Sequence, residues 1–421
     1  MKVLHLSTSD YNGGAARGAY WMHKALQQSG VDSHLLVAEK STDDPSVIGS
    51  QGITGSQKIL NGVRQTVEYW PLRRYKQKKA GFFSPAIFPS KLVNQVRAIN
   101  PDIINLHWVS LGLLRPEYLQ QFNKPIVWTL RDMWSFTGGC HYGGECDRYQ
   151  QKCGCCPLLG STKDTDLSRQ VWQRKHKSWQ TLSLTLAPIS QWLADCARQS
   201  TLFKTKQIEV IHNAVDTTQY YPIDKKVARD ILKLPQGKKL ILFGAISPTA
   251  DVRKGFPYLA SALRMLSKQS GEQDRLEAVI FGTSQPDQPL DLGLKTTFLG
   301  RLHDNTMLAL AYSAADVMVV PSIQEAFGKT SIEAMACGTP VVSFDSTGLK
   351  DSVAHLETGY RAKCFSSDDL ARGILWVLED PHRWQLLSDQ ARQRVEQAFA
   401  FPVQAKAYLE LYQTLYQAPS D

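Results

Sequence analysis

Short apolar runs alternate with longer segments of helical spacing along the whole chain. Residues 2–8, 31–38, 102–107, 126–130, 184–189 and 208–211 read as strands, and 15–29 and 168–182 as helices. The second half repeats the pattern, with strands at 239–244, 277–282, 296–299, 317–320 and 340–344. Helices are expected there at 256–268, 305–314 and 329–336, then two between 366 and 398, and a last one at 401–416. Apolar runs between helical segments predict parallel sheets covered by helices, hence an α/β chain. Residues 40–84 show no sustained period and read as irregular. Pro222 and the charged run after it read as a linker. The chain of 421 residues is too long for one ordinary core and suits two domains.

The densest chemistry follows the strand at 317–320. Residues 321–342 read PSIQEAFGKTSIEAMACGTPVV. A loop carries Glu325, Phe327 and Gly328, and a helix starts at Lys329 and Thr330. Helix-start N–H groups and the helix dipole suit a phosphate. Glu325 before the helix and Glu333 one turn inside it can accept hydrogen bonds from sugar or ribose hydroxyls. On spacing alone, a surface helix with two solvated glutamates is equally open. Two more corners share this logic. Gly13-Gly14 lies between the first strand and first helix, and Arg253-Lys254 stands at the start of the helix at 256. Two cations at a helix start are disfavoured unless an anion binds, although a solvated pair is the plain alternative.

The E-x7-E pair, the FG turn and the GTPVV strand resemble the donor-site motif of the retaining glycosyltransferases of family 4, or glycosyl transferases group 1. These are two-domain GT-B enzymes that use nucleotide sugars. The resemblance runs over most of the chain and is strongest from 243 to 355. It implies two Rossmann-like domains facing across a cleft, at 1–215 and 216–400. The segment at 401–421 would cross back to the first domain. The first domain would hold the acceptor and the second the donor.

Carried over residue by residue, the resemblance implies donor binding by Gly13, Gly14, Arg253, Lys254, Glu325, Phe327, Gly328, Lys329, Thr330 and Glu333. Many members carry an arginine just after the strand glycine. Here Ala245 follows Gly244, which leaves that contact missing or supplied by Arg253. His107, at a strand end, is expected to touch donor or acceptor, or else to be a packed histidine. Arg131-Asp132 stands where the family often has His-Asp, and an arginine there favours an anionic acceptor group. The candidate catalytic residues are His107, Lys254 and Glu325; the candidate acceptor residues are His107, Arg131 and Asp132.

Charge adds a surface. Of the net +9, residues 1–215 hold 26 Lys and Arg against 15 Asp and Glu, and residues 216–421 hold 22 against 24. The densest part is YWPLRRYKQKKAGFF at 69–83, with Arg73, Arg74, Lys76, Lys78 and Lys79 between aromatics. It suits an anionic membrane surface or a pyrophosphate-bearing acceptor, or is a solvated face. With no recognised nucleic-acid motif, nucleic acid is not an expected partner. The first residues are too short an apolar run for a signal peptide, and no run of 18 apolar residues occurs. The expected location is cytoplasmic, peripheral on the inner face of a membrane.

Five of the eight cysteines fall in TGGCHYGGECDRYQQKCGCCP at 137–157. Cys140, Cys146, Cys153 and Cys156 are candidate ligands of a structural zinc, with Cys153-x2-Cys156 the one familiar zinc spacing. A polysaccharide-related branch of the family shows a similar segment. Disulfides and free thiols are the other readings.

The expected activity is transfer of a sugar from a nucleotide-diphosphate sugar to a glycan or lipid-linked acceptor. The anomeric configuration would be retained by a front-face mechanism, and domain closure would exclude water. No DxD-like motif stands at a strand end, so no catalytic cofactor is expected. A nucleotide-sugar epimerase of the same fold and a non-catalytic nucleotide-sugar-binding protein are the alternatives.

Overall fold

Two parallel sheets organise the chain, of seven and six strands among the described residues. The computed structural model describes residues 1–49, 55–244, 251–269, 271–283, 291–302 and 304–417, with backbone alone for 55–61. The chain divides into two units: Met1–Ile211 with Gln404–Asp421, and His212–Val403.

The first unit runs β1 (Lys2–Ser9), α1 (Gly14–Gln28), β2 (Asp32–Glu39), β3 (Val47–Ile48), α2 (Gly55–Tyr69), α3 (Leu92–Ile99), β4 (Ile103–Leu106) and β5 (Ile126–Leu130). It continues with α4 (Leu167–Trp179), β6 (Leu184–Pro188), α5 (Gln191–Gln199) and β7 (Gln207–Ile208). Its strand order is β3-β2-β1-β4-β5-β6-β7, all parallel. Val3, Leu4 and Leu6 of β1 and Ile103, Ile104 and Leu106 of β4 are fully buried, as strands covered on both faces require. The order reverses between β1 and β4, and ligands of open α/β sheets bind beyond the strand ends at such a point.

The second unit runs α6 (Lys225–Leu232), β8 (Lys239–Gly244), α7 (Phe256–Ser267), α8 (Glu272–Arg275), β9 (Leu276–Phe281), β10 (Thr296–Gly300), α9 (Asn305–Ala314), β11 (Val317–Val320), α10 (Lys329–Ala336) and β12 (Val341–Phe344). Then come α11 (Leu349–Ser352), β13 (Gly359–Ala362), α12 (Ser367–Leu378) and α13 (Pro381–Ala398). Its order is β10-β9-β8-β11-β12-β13, again parallel, with the reversal between β8 and β11. The last helix, α14 (Phe401–Gln417), belongs to the first unit from Gln404 onward. Its Tyr408 and Tyr412 are fully buried there, bonded to Thr129 (2.9 Å) and Asn105.

Two segments differ from the pattern reading. The stretch at 40–84 is not irregular throughout, because it holds α2. The buried side chains described in α2, from residue 62 on, are Arg64 and Glu68, which hydropathy reads as surface. Buried Arg64 pairs with Glu39, and Glu68, 1% exposed, accepts the N–H groups of Ala86, Ile87 and Phe88 at 3.0, 2.7 and 2.6 Å. The charged run after Pro222 holds α6 for the same reason. Buried Arg229 bonds Asp316 at 2.7 Å, and Lys225 reaches the same carboxylate at 2.9 Å.

Candidate active site

The helix starts of the second unit are tied together before any ligand is considered. Gly255 begins α7 at φ 68°, and a Cβ there would stand 1.8 Å from the Pro321 carbonyl oxygen. Only glycine allows this approach of the 252–255 turn to the end of β11. The Ile323 N–H donates to the Arg253 carbonyl at 2.8 Å, completing the stitch. Lys254 is thereby carried to Glu325, with Nζ 2.6 Å from Oε2 and both side chains partly exposed. Glu325 is held from behind, its N–H donating to Thr347 Oγ1 at 3.0 Å. Arg253 turns instead to Asp251, at 2.6 Å. Ala245, the departure noted after Gly244, lies outside the described residues.

Helix α10 starts at Gly328 with φ 91° and no side-chain cap, so Lys329 and Thr330 open it without a Ser or Asp acceptor. Helices α1 and α7, and the one-turn α8 and α11, likewise start on glycine without one, and α3 starts uncapped on lysine, whereas α4, α5, α6, α9, α12 and α13 are each capped by an Asp or Ser side chain. Uncapped first-turn N–H groups are what a diphosphate accepts from. Glu333 is 3% exposed. Its Oε2 accepts from Tyr312 at 2.7 Å and Oε1 lies 3.3 Å from Lys329 Nζ. Burial beside this carboxylate raises the Tyr312 phenol well above its usual range. Tyr312 was not singled out in the sequence, although a buried tyrosine on α9 needs a partner for its hydroxyl. Phe327 is 1% exposed between His212 and Phe399, so it offers a ligand its backbone alone.

In the first unit, Gly13 starts α1 at φ 93°, and no atom lies within 4 Å of where a Cβ of Gly13 or Gly14 would be. At the ends of β4 and β5 a small cavity is lined by His107, Trp108, Arg131, Asp132 and Trp134 among others. His107 is 3% exposed and reaches that cavity from the end of β4. Arg131 Nε donates to its Nδ1 at 3.2 Å, and Nε2 faces His5 Nδ1 at 2.9 Å. Burial, with Arg131 and neighbouring histidines, holds His107 and His5 neutral, well below the usual histidine range. A neutral His107 that accepts at Nδ1 carries its proton on Nε2 and donates it to His5. His107 therefore positions Arg131, whose guanidinium lies over Gly18 of α1 and which burial lowers to about 10.

Asp132 is also engaged within the protein. Trp108 Nε1 and His141 Nδ1 meet its Oδ2 at 2.7 and 2.6 Å, and the Trp134 N–H donates to Oδ1 at 2.9 Å. Burial pushes this carboxyl up, but His141 and these donors outweigh it and hold Asp132 below the usual range. His141 Nε2 continues to Ser84 Oγ at 2.9 Å. With Ser84 2% exposed, this chain of groups fixes a loop rather than presenting a nucleophile.

His141 lies in the cysteine-rich loop. All eight cysteines are free thiols, so the disulfide reading fails. Among the described residues, no three His, Cys, Asp or Glu side chains stand close enough to share a metal ion.

Two family models match this chain. Glycosyltransferase Family 4 covers residues 12–219 and Glycosyl transferases group 1 covers 224–395. D-inositol 3-phosphate glycosyltransferase 2 of Catenulispora acidiphila is 32% identical over 227 residues, 49% of this chain and 50% of that protein. An uncharacterized glycosyltransferase of Methanocaldococcus jannaschii is 28% identical over 225 residues, 50% and 55% of the two chains. The chain spans about half the length of the curated relatives it matches. Among solved structures, sucrose-phosphate synthase from Thermosynechococcus elongatus superposes over the whole of both chains with a TM-score of 0.69 at 21% identity. Anabaena HepE in complex with UDP and glucose gives 0.65 at 17% identity, over 98% of this chain and 100% of the other. WaaG, a glycosyltransferase involved in lipopolysaccharide biosynthesis, gives 0.65 at 16%, over 99% and 100%. With the two models together taking in nearly everything from residue 12 to residue 395, on two parallel α/β sheets that match these solved folds, the chain belongs to the family 4, group 1 glycosyltransferases of GT-B fold.

Proposed function

We propose that this protein moves a sugar from a nucleotide-diphosphate sugar to a glycan or lipid-linked acceptor, retaining the anomeric configuration. The observation that carries the reading is the Lys254–Glu325 pair, 2.6 Å apart at the uncapped starts of α7 and α10. One cation, one carboxylate and two rows of helix-start amides are what a sugar diphosphate needs. The bond from the anomeric carbon to the diphosphate breaks. The acceptor oxygen bonds to that carbon from the same face, and its proton passes to the departing diphosphate. Lys254 and the amides at Gly328 to Thr330 stabilise charge on that leaving group. The HepE complexes contain UDP or UDP-glucose, which makes UDP-sugars the first donors to test. A thermal-shift panel of UDP-, GDP- and ADP-sugars tests the reading, because a ligand at 100 times its dissociation constant adds about 2.7 kcal/mol. Transfer or donor hydrolysis must follow with the donor that binds. A panel without any shift, or a donor returned with its sugar epimerised, overturns it.

The two glutamates are expected to separate kinetically. A ribose contact holds equally in ground and transition states, so Glu333→Gln should raise donor KM several-fold with kcat nearly kept. A contact to the reacting sugar tightens as the bond breaks, so Glu325→Gln should lower kcat while free nucleotide still binds. Kinetics and nucleotide titration of both variants decide the matter. Nucleotide affinity lost in Glu325→Gln and kept in Glu333→Gln would reverse the roles.

The acceptor side is read as anionic, through Arg131, and as membrane-associated. Arg73, Arg74, Lys76, Lys78 and Lys79 are exposed, beside Trp70 and Phe82 at 58% exposure each. No helix among the described residues is long and apolar enough to cross a membrane. Binding to anionic vesicles should weaken with salt and vanish when these five cations are neutralised. Equal binding to neutral and anionic vesicles refutes that surface.

A further inference from the structure

Tyr312 is wholly buried on α9, and its hydroxyl donates to Glu333 Oε2 at 2.7 Å. The residue is fixed from several sides. Its ring meets Phe281 edge to face at 5.8 Å and Tyr220 at 6.3 Å, centre to centre. Its carbonyl accepts from Thr339 Oγ1 at 2.7 Å, a side chain just past the end of α10. Helices α9 and α10 are thus fastened twice, once through Thr339 and once through Glu333. To fill this space a phenylalanine would serve. What the hydroxyl adds is the bond to Glu333.

That bond sets which way the carboxylate faces. A free glutamate has three side-chain torsions, and ordering them when a ligand binds weakens affinity. With Oε2 taken by Tyr312, Oε1 lies 3.3 Å from Lys329 Nζ. Lys329 is the first residue of α10 after the uncapped Gly328, so Oε1 leans back toward the helix start whose amides suit a diphosphate. In a nucleoside diphosphate the ribose follows directly on the phosphates, and one helical turn spans about 5.4 Å. An ionised carboxylate can accept about four hydrogen bonds. Tyr312 and Lys329 occupy part of that capacity, and the 2′ and 3′ hydroxyls of a ribose can use the rest. The Tyr312 hydroxyl has one proton and donates it to Oε2, so it acts on a ribose through Glu333.

We infer, on the proposed ribose role of Glu333, that Tyr312 is a positioning residue for the donor. Its hydroxyl holds Glu333 ready to accept from the ribose hydroxyls and makes the site selective for ribonucleotides over 2′-deoxyribonucleotides.

The test titrates UDP, GDP and ADP beside their 2′-deoxy forms, using the full chain. With the base that binds, the wild type should prefer ribose about tenfold or more, the size of a hydrogen bond to a charged group. Tyr312→Phe should reduce that preference several-fold and raise donor KM, with kcat nearly kept. A lost packing contact would lower the melting temperature and leave the ribose preference at its wild-type value, and that result overturns the positioning role. Because Tyr312→Phe can misfold, Thr339→Val gives a second reading with Tyr312 in place. It frees the Tyr312 carbonyl and should reduce the ribose preference in the same direction. Where Tyr312→Phe does not fold, a wild-type preference in Thr339→Val overturns the role as well. Glu333→Gln separates the two readings. Preference lost in Glu333→Gln but kept in full in Tyr312→Phe removes the positioning role alone. Preference kept in Glu333→Gln, or absent from the wild type, removes the ribose role of Glu333 with it.

Discussion

Replacing Lys254 by alanine is expected to lower kcat about 10²- to 10³-fold, the size of losing one preorganised donor to a developing oxyanion. The geometry argues that the effect lies in chemistry rather than folding. Lys254 reaches Glu325 at 2.6 Å, but the two side chains are 23% and 17% exposed. A pair this open to solvent contributes under about 1 kcal/mol to stability, so the melting temperature should move by a few degrees at most. The turn that carries Lys254 does not rely on its side chain. The stitch from Ile323 to the Arg253 carbonyl and the close approach of Gly255 to Pro321 are both backbone features. Steady-state kinetics with the donor that binds, beside a thermal melt, makes the check. Wild-type turnover in the variant removes Lys254 from the reaction, and a collapsed melt makes it a scaffold residue.

Much of the framework was legible because buried parallel strands announce themselves. β11 reads VMVV, with Val317, Met318 and Val319 fully buried, and such a run has no solvated alternative. The helix start at Lys329 was legible from the glycine before it and the strand before that. What escaped was order supported by buried charge. In α2 the inward residues include Arg64 and Glu68, and in α6 Arg229; residue-by-residue hydropathy marks all three as surface. Each is stable inside because its partner is fixed elsewhere in the chain: Glu39, the 86–88 backbone and Asp316. A hydropathy pattern contains no term for a partner that distant.

The candidate site divides along the same line. Lys254 and Glu325 stand 71 residues apart and meet at 2.6 Å. His107 and Asp132 were picked for their strand-end positions, and both are hydrogen-bonded to neighbours within the protein. Arg131 and His5 meet His107, and Trp108 and His141 meet Asp132; of these, Arg131 and His141 stand in segments that the sequence marks. Local sequence gives a residue's position on a strand, whereas its availability depends on what packs above it.

Acidification from pH 7 to pH 5.5 is expected to destabilise the first unit by several kcal/mol, before any carboxylate titrates. His5, His23 and His107 are buried close together, with His5 6.0 Å from His23 and 5.2 Å from His107, ring centre to ring centre. Burial depresses all three: His5 and His107 well below the usual range, and His23 to about 4 despite Asp44 pulling it up. The Arg131 hydrogen bond requires a neutral His107. His107 accepts from Arg131, and His23 shares its two nitrogens with Ser33 and Ser46 at 2.7 and 2.8 Å. The unfolded chain protonates its histidines near pH 6.5, whereas the folded unit resists until well below that. Between those limits the unfolded state binds more protons, so stability is full above about pH 6.5 and falls as pH drops toward the folded values. Each such histidine costs about 1.4 kcal/mol per pH unit in that window, and three cost about 4. That is a large share of the 5–15 kcal/mol typical of a domain. Proton uptake on unfolding, measured by calorimetry in buffers of different ionisation enthalpy, should approach three near pH 5.5. His23→Gln, which keeps amide partners for Ser33 and Ser46, should flatten the slope by about one proton. A melting temperature unchanged between pH 7 and pH 5.5 would show that these rings already carry their protons in the folded state.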